Sequence, residues 1–183
     1  MPEIEIRPAV DADIPSLMAL DHNYASEYVW QMEVQREEDD DDHQTRISFR
    51  QIRLPRSVRV EYPRQPRGLA IDWTQRSGLL VALLGGTAIG YISLMLDFAP
   101  LTTWATDLVV ARHLRRKGIG SALVLAALEW SANHATHYLV LEMQPKNYPA
   151  IQLTHKLGFE LCGYNDRYYE NHDIAIFFAK SVR

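Results

Sequence analysis

The chain has 183 residues and a mass of 21.0 kDa, a length that suits one domain with at most a small appendage. Hydrophobic residues at 47% against 23% charged leave enough apolar side chain to bury a core, which excludes wholesale disorder. Nineteen Lys plus Arg against 23 Asp plus Glu give a net charge of −4 and a pI near 6.0, which excludes a chain built mainly to coat nucleic acid.

The first residues, Met1 to Arg7, lack the basic segment and apolar run of a secretion signal. Cys162 stands alone, so neither an internal disulfide nor a CxxC site can form, and a cytoplasmic location is expected. Ile4-Glu5-Ile6-Arg7 alternates like a strand, and Asp11 stands where a helix N-cap would, ahead of Ile14, Leu17, Met18 and Leu20. Tyr24 to Gln35 continues a helical pattern. Six consecutive acids, Glu37 to Asp42, cannot pack against one another, so a mobile acidic loop is expected at 37–45. Without residues 33–42 the remainder of the chain carries +2. Seven arginines from Arg46 to Arg67 face only one acid in that stretch, Glu61. They either meet an anionic ligand while the acidic run steers charged molecules, or pair with acids across a hairpin. Ser57 to Tyr62 alternates like a strand, closed by Pro63, Pro66 and Gly68.

Leu79–Leu84, Ala88–Leu96 and Thr102–Val110 read as three strands of an antiparallel meander, the first two joined at Gly85-Gly86. Gly78 to Leu96 is uncharged throughout, but its glycines argue for a buried hairpin and against a membrane span. A helix over Ser121–Ala132, a strand over Tyr138–Met143, a helix over Pro149–Leu157 ended by Gly158, and strands over 159–164 and 174–178 complete the order. Strand, helix, strand implies one parallel pair. The expectation is one α/β domain spanning 1–183, with a mixed, mostly antiparallel, twisted sheet flanked by helices.

Between the third meander strand and the long helix lies Arg115-Arg116-Lys117-Gly118-Ile119-Gly120-Ser121. Glycines here permit unusual backbone angles, so several N–H groups can converge on one anion at the positive end of the helix. The P-loop and dinucleotide patterns both fail, since Leu123 stands where the latter needs its third glycine. Arg115, Gly118 and Gly120 do match the Arg-x-x-Gly-x-Gly signature, and Leu141-Glu142-Met143, Asn147, Ala150-Ile151 and Lys156-Leu157-Gly158-Phe159 follow in the matching order. From about Trp104 to Phe159 the chain resembles the GNAT superfamily of acyl-CoA-dependent N-acetyltransferases.

That resemblance implies the GNAT fold, with acetyl-CoA as cosubstrate between the strand at Leu108 and the strand at Leu141. Leu108, Val109 and Val110 would offer main-chain groups to pantetheine as if to an added strand. Arg115, Arg116, Lys117, Gly118, Ile119, Gly120 and Ser121 would hold the pyrophosphate, with Asn147 and Thr154 beside them. A bulge near Val110 would free an amide for the oxyanion. Transfer to an amine needs a base, and Glu142, which matches the glutamate of ribosomal-protein alanine acetyltransferases, and then Asp107 are the candidates. Many family members place an acidic tyrosine where this chain has Thr154, a far weaker acid. His155, Tyr168 or Tyr169 would have to replace it, or the thiolate leaves unprotonated. The Tyr168-Tyr169 pair also resembles N-terminal protein acetyltransferases, whereas Cys162 to Asp166 with Asp173 to Phe178 resembles streptothricin acetyltransferases.

The function expected is therefore N-acetyl transfer to a primary amine of a small molecule. Acetylation of protein N-termini or lysines is the alternative, and a non-catalytic acyl-CoA sensor is the alternative of another class. No nucleic acid, membrane or metal partner is expected, and a homodimer is left open. His134 and His137 lack a third ligand nearby, and the four tryptophans read as core or interface anchors.

Overall fold

A computed structural model of the chain describes residues 4–39 and 42–182. Its main sheet has seven strands: β1 (Ile4–Pro8), β4 (Gly78–Leu84), β5 (Thr87–Met95), β6 (Thr102–Val110), β7 (Tyr138–Met143), β8 (Glu160–Asn165) and β9 (Ala175–Ser181). The order across it is β1-β4-β5-β6-β7-β9-β8. Every neighbouring pair is antiparallel except β6 with β7, which are joined through helix α3 (Ile119–Asn133). The meander, the parallel pair and the long helix thus lie where periodicity placed them.

Alternation decides which face each side chain takes. Leu80 and Ala82 of β4 join Ile92, Leu94, Leu139, Leu141, Ile176 and Phe178 under α3 and α4 (Tyr148–Lys156). Leu79, Val81 and Leu83 point the other way, with Tyr91 and Val109, toward Ile14 and Leu17 of α1 (Ile14–Met18) and Leu69 of α2 (Gly68–Asp72). The sheet is therefore covered on both faces. The uncharged run from Gly78 is the β4–β5 hairpin, and no helix among the described residues is long and apolar enough to cross a membrane.

Three elements differ from the sequence reading. The helix expected at 24–35 is a strand, β2 (Tyr24–Asp39), paired with the 19-residue β3 (Asp42–Val60) in a separate two-stranded hairpin. Tyr28, Trp30, Met32 and Val34 share one face, with Phe49 opposite Met32 and Ile47 opposite Val34. That period of two competes with the helical spacing of Tyr24 and Tyr28, and pairing with the β-branched and aromatic residues of β3 decides the outcome. The acidic loop expected at 37–45 is replaced over the described residues by continued pairing, Glu37 with Gln44 and Asp39 with Asp42, while Asp40 and Asp41 lie outside the described residues. Asp11 opens a 3-10 turn instead of capping α1, and it is Asp13 that accepts the Val10 N–H at 2.8 Å while pairing with Arg7. Among the arginines of β3, Arg50 meets Glu33 at 3.1 Å and Arg59 meets Asp21 at 3.3 Å. Pairing with nearby acids thus accounts for these two.

Trp30 docks the hairpin onto the body, its ring 5.7 Å from Phe178, 5.6 Å from His155 and 6.2 Å from Phe49. The same contact turns His155 toward the hairpin.

Candidate active site

The site begins where β6 and β7 part. They pair only from Thr102–Tyr138 to Ala105–Leu141. Next in β6, Thr106 is an extra residue, because Asp107 pairs with Ser93 and Ala105 with Leu94. Such a bulge bends a strand, and β6 then follows β5 alone as far as Val110 opposite Gly90. The bulge expected near Val110 therefore lies at Thr106, on the opposite side of Asp107.

Beyond the split is a cleft of about 670 Å³. Leu108, Val109, Val110, Arg115, Arg116, Gly118, Ile119, Gly120, Ser121 and Asn147 all line it, joined by Tyr24 and Ala25 from the base of the hairpin. Its floor is the start of α3, where Gly118 adopts φ 87°, in the left-handed region that favours glycine. The first bond closing the helix runs from Ala122 N–H to the Gly118 carbonyl at 3.0 Å, so the N–H groups of Ile119, Gly120 and Ser121 have no partner within the helix. Together with the helix dipole they favour an anion.

Three residues expected at the cofactor depart from that role in detail. Arg115 donates to the carbonyls of Val110 (2.8 Å), Asn23 (2.6 Å) and Asp21, so its guanidinium clasps the 21–23 loop to β6 rather than standing free for phosphate. Lys117 is exposed and outside the cleft lining. Thr154 is buried beside the cleft, and its hydroxyl donates to the Ile151 carbonyl at 2.7 Å. Asn147 lines the cleft but also caps α4, accepting the Ala150 N–H at 3.2 Å.

A second cavity of about 280 Å³ adjoins, lined by His22, Tyr62, Arg64, Asp72, Arg76, Tyr91, Asp107, Tyr168, Tyr169 and Glu170. His22 and Tyr62 line both cavities. Between them a narrow fissure carries Tyr62, Arg64, Leu108, Glu142, Thr154 and Tyr169.

The four residues expected to be catalytic meet here, but their polar groups are largely engaged. Glu142, its side chain fully buried, accepts from Arg64, from Trp104 Nε1 at 2.7 Å and from the Tyr168 hydroxyl at 2.8 Å. Asp107 accepts from the Tyr62 hydroxyl and Arg76, each at 2.7 Å, and Arg64 stands 3.9 Å away. Burial pushes the Asp107 carboxyl up, but Arg64 and Arg76 outweigh it and hold the group below the usual carboxylate range. Burial and the nearby Glu142 carboxylate push the phenol of Tyr168 up, and that of Tyr169 likewise. Arg64 stacks over the Tyr169 ring at 5.1 Å. Asp107 is thus held in its charged form by two arginines, and Glu142 is enclosed by Arg64, Trp104 and Tyr168.

Sequence reasoning missed His22, Tyr62, Arg64, Arg76 and Tyr91. Nothing in the run of seven arginines separates Arg64 from the others, and only its position just after Pro63, where the alternating strand closes, sets it apart. Two buried carboxylates on the central strands also demand cationic partners from elsewhere. Among the described residues no group of three or more His, Cys, Asp or Glu is placed to hold a metal. His134 instead stacks on Trp130 with ring centroids 3.6 Å apart.

Comparison with known proteins agrees with this architecture. A nourseothricin acetyltransferase superposes with a TM-score of 0.80 at 22% identity, over 98% of this chain and 99% of that one. A protein from Bacillus anthracis str. Ames described as a streptothricin acetyltransferase, in complex with acetyl coenzyme A, gives 0.76 at 20% identity, over 98% and 99%. The ribosomal-protein-S18-alanine N-acetyltransferase of Escherichia coli gives 0.67 at 15%, over 98% and 94%. In sequence, the uncharacterized N-acetyltransferase YobR of Bacillus subtilis (strain 168) is 30% identical over 73 residues, which are 40% of this chain and 28% of that protein. The family model described as Acetyltransferase (GNAT) family matches residues 25–159, and with most of its length inside that match the chain belongs to the GNAT acetyltransferases.

Proposed function

We propose that the protein moves an acetyl group from acetyl-CoA to a primary amine of a small, cationic molecule. The observation that carries this reading is the meeting of two cavities at the split between β6 and β7, with His22 and Tyr62 at their junction. Pantetheine would lie along the unpaired edge at Leu108–Val110, where the Val110 carbonyl is already taken by Arg115. The pyrophosphate would rest on the N–H groups of Ile119, Gly120 and Ser121 beside Arg116. The thioester then faces the second cavity, and the amine enters from there.

Charge favours such an acceptor. Asp72, Asp107 and Glu170 in that cavity's lining outnumber Arg64 and Arg76, so an ammonium group is attracted. The likeness in fold to acetyltransferases named for nourseothricin and streptothricin is in keeping with a small acceptor. In the reaction the nitrogen forms its bond to the carbonyl carbon as the C–S bond breaks. The departing thiolate takes the proton that the nitrogen sheds. No side-chain acid is required for that step, which matters because the Thr154 hydroxyl is engaged and His155 faces Trp30.

Purified protein mixed with acetyl-CoA should release thiol far above the amine-free control when nourseothricin or a polyamine is added, and less with N-terminal peptides. Acetyl-CoA binding without release on that panel would replace the enzyme reading with a sensor.

A further inference from the structure

We propose that His22 and Tyr91 form the proton relay that turns the acceptor ammonium into the attacking amine, an inference that rests on the N-acetyl-transfer reading above. His22 is buried at the junction of the two cavities, in the loop that Arg115 clasps. Its Nδ1 lies 2.7 Å from the Leu20 carbonyl, which can only accept, so Nδ1 carries the hydrogen and Nε2 the lone pair. The Tyr91 hydroxyl, 3.0 Å from Nε2, donates to it. Tyr91, though buried, lines the acceptor cavity, and the relay has the substrate's ammonium meet its oxygen there.

The step balances in two moves. An ammonium N–H passes its proton to the Tyr91 oxygen while the Tyr91 hydroxyl proton moves to His22 Nε2, leaving a neutral amine and an imidazolium. The second nitrogen proton leaves later, with the thiolate as the C–S bond breaks. Burial keeps His22 uncharged in the resting state by pushing its pKa below the usual imidazole value, although Asp107 and Asp21 favour the charged form, and Arg115 disfavours it. The rings of Tyr62 and Tyr91 face it at 5.5 and 5.8 Å. Burial also raises the Tyr91 phenol, so Tyr91 conducts a proton without ionising by itself. Glu142 and Asp107 each already hold an arginine, whereas among the described residues His22 Nε2 meets only the Tyr91 hydroxyl.

The test uses the full chain with acetyl-CoA and nourseothricin, following kcat/KM against pH. The wild type should lose activity on the acid side as one group protonates below about pH 6.5. His22→Gln, which keeps an acceptor for Tyr91 but cannot titrate, should lower kcat about 10²-fold and abolish that limb. Tyr91→Phe should lower kcat to a similar extent, and it serves where His22→Gln fails to fold. A His22→Gln enzyme that retains wild-type kcat, or loses activity but keeps the acid limb, overturns the relay alone. A wild-type profile that stays flat to the lowest pH at which the protein remains folded does the same. Wild-type protein that binds acetyl-CoA yet shows no amine-dependent release overturns the transfer reading, and the relay with it.

Discussion

At the scale of single residues the centre is organised by Arg64, which links the carboxylates of Asp107 and Glu142 across the split. Replacing it with Met leaves two buried carboxylates short of a counter-charge. The loss is expected to be about 3 kcal/mol, read as a lower urea midpoint at pH 7. Asp107 sets a pH dependence whose sign follows from its partners. Its carboxyl ionises more readily folded than unfolded, so it contributes stability above about pH 4 that is lost as the pH falls further. Denaturation midpoints between pH 5 and 3 should therefore fall less steeply in Asp107→Asn than in the wild type. This centre was only half legible in the sequence. Glu142 and Asp107 stand out because they sit on central strands, whereas Arg64 lies 78 positions from Glu142 and Arg76 lies 31 from Asp107. No local pattern announces contacts made by folding over such distances.

At the scale of elements, what is local was legible and what depends on a partner strand was not. The turn into α3 is written in adjacent residues, and its geometry follows from them. Gly118 at φ 87° has no atom near an added Cβ, so the penalty of Gly118→Ala is conformational, about 1–2 kcal/mol. Gly118→Asp adds a negative charge beside the N–H groups and should weaken acetyl-CoA binding more than Ala does, as measured by calorimetry. Gly90 differs in kind, because a Cβ there would come within 2.7 Å of the Val109 carbonyl oxygen, so Gly90→Ala must push β5 from β6. Strand β2 was mistaken for a helix because Tyr24, Tyr28 and Met32 also fit a four-residue spacing. Only the presence of β3 decides between the two periods, and the acidic run that supplies the paired ends of both strands does not announce it.

At the scale of the whole molecule, the charge is unevenly divided, and that division is legible in the order of residues along the chain. Exchanging the six acids from Glu37 to Asp42 for Asn and Gln would take the net charge from −4 to +2. Capture of a dicationic acceptor should then weaken severalfold at low salt, with the difference fading as ionic strength shortens the Debye length to roughly 3 Å at 1 M. Steady-state KM against salt, for both proteins, checks this.

The short parallel contact between β6 and β7 has a thermodynamic consequence. Among the described residues, four residue pairs are the only ladder joining β1, β4, β5 and β6 to β7, β9 and β8, so that seam is the weakest line in the main-chain bonding of the sheet. A pantetheine arm laid into the gap would act as a missing rung, and mass action then ties the seam to cosubstrate supply. Saturation at 100 times Kd would add about 2.7 kcal/mol to the folded state. Amide exchange at Leu108–Val110 and at Glu142–Met143 should accordingly slow in step with occupancy, by more than the global stabilisation alone slows the β4–β5 hairpin.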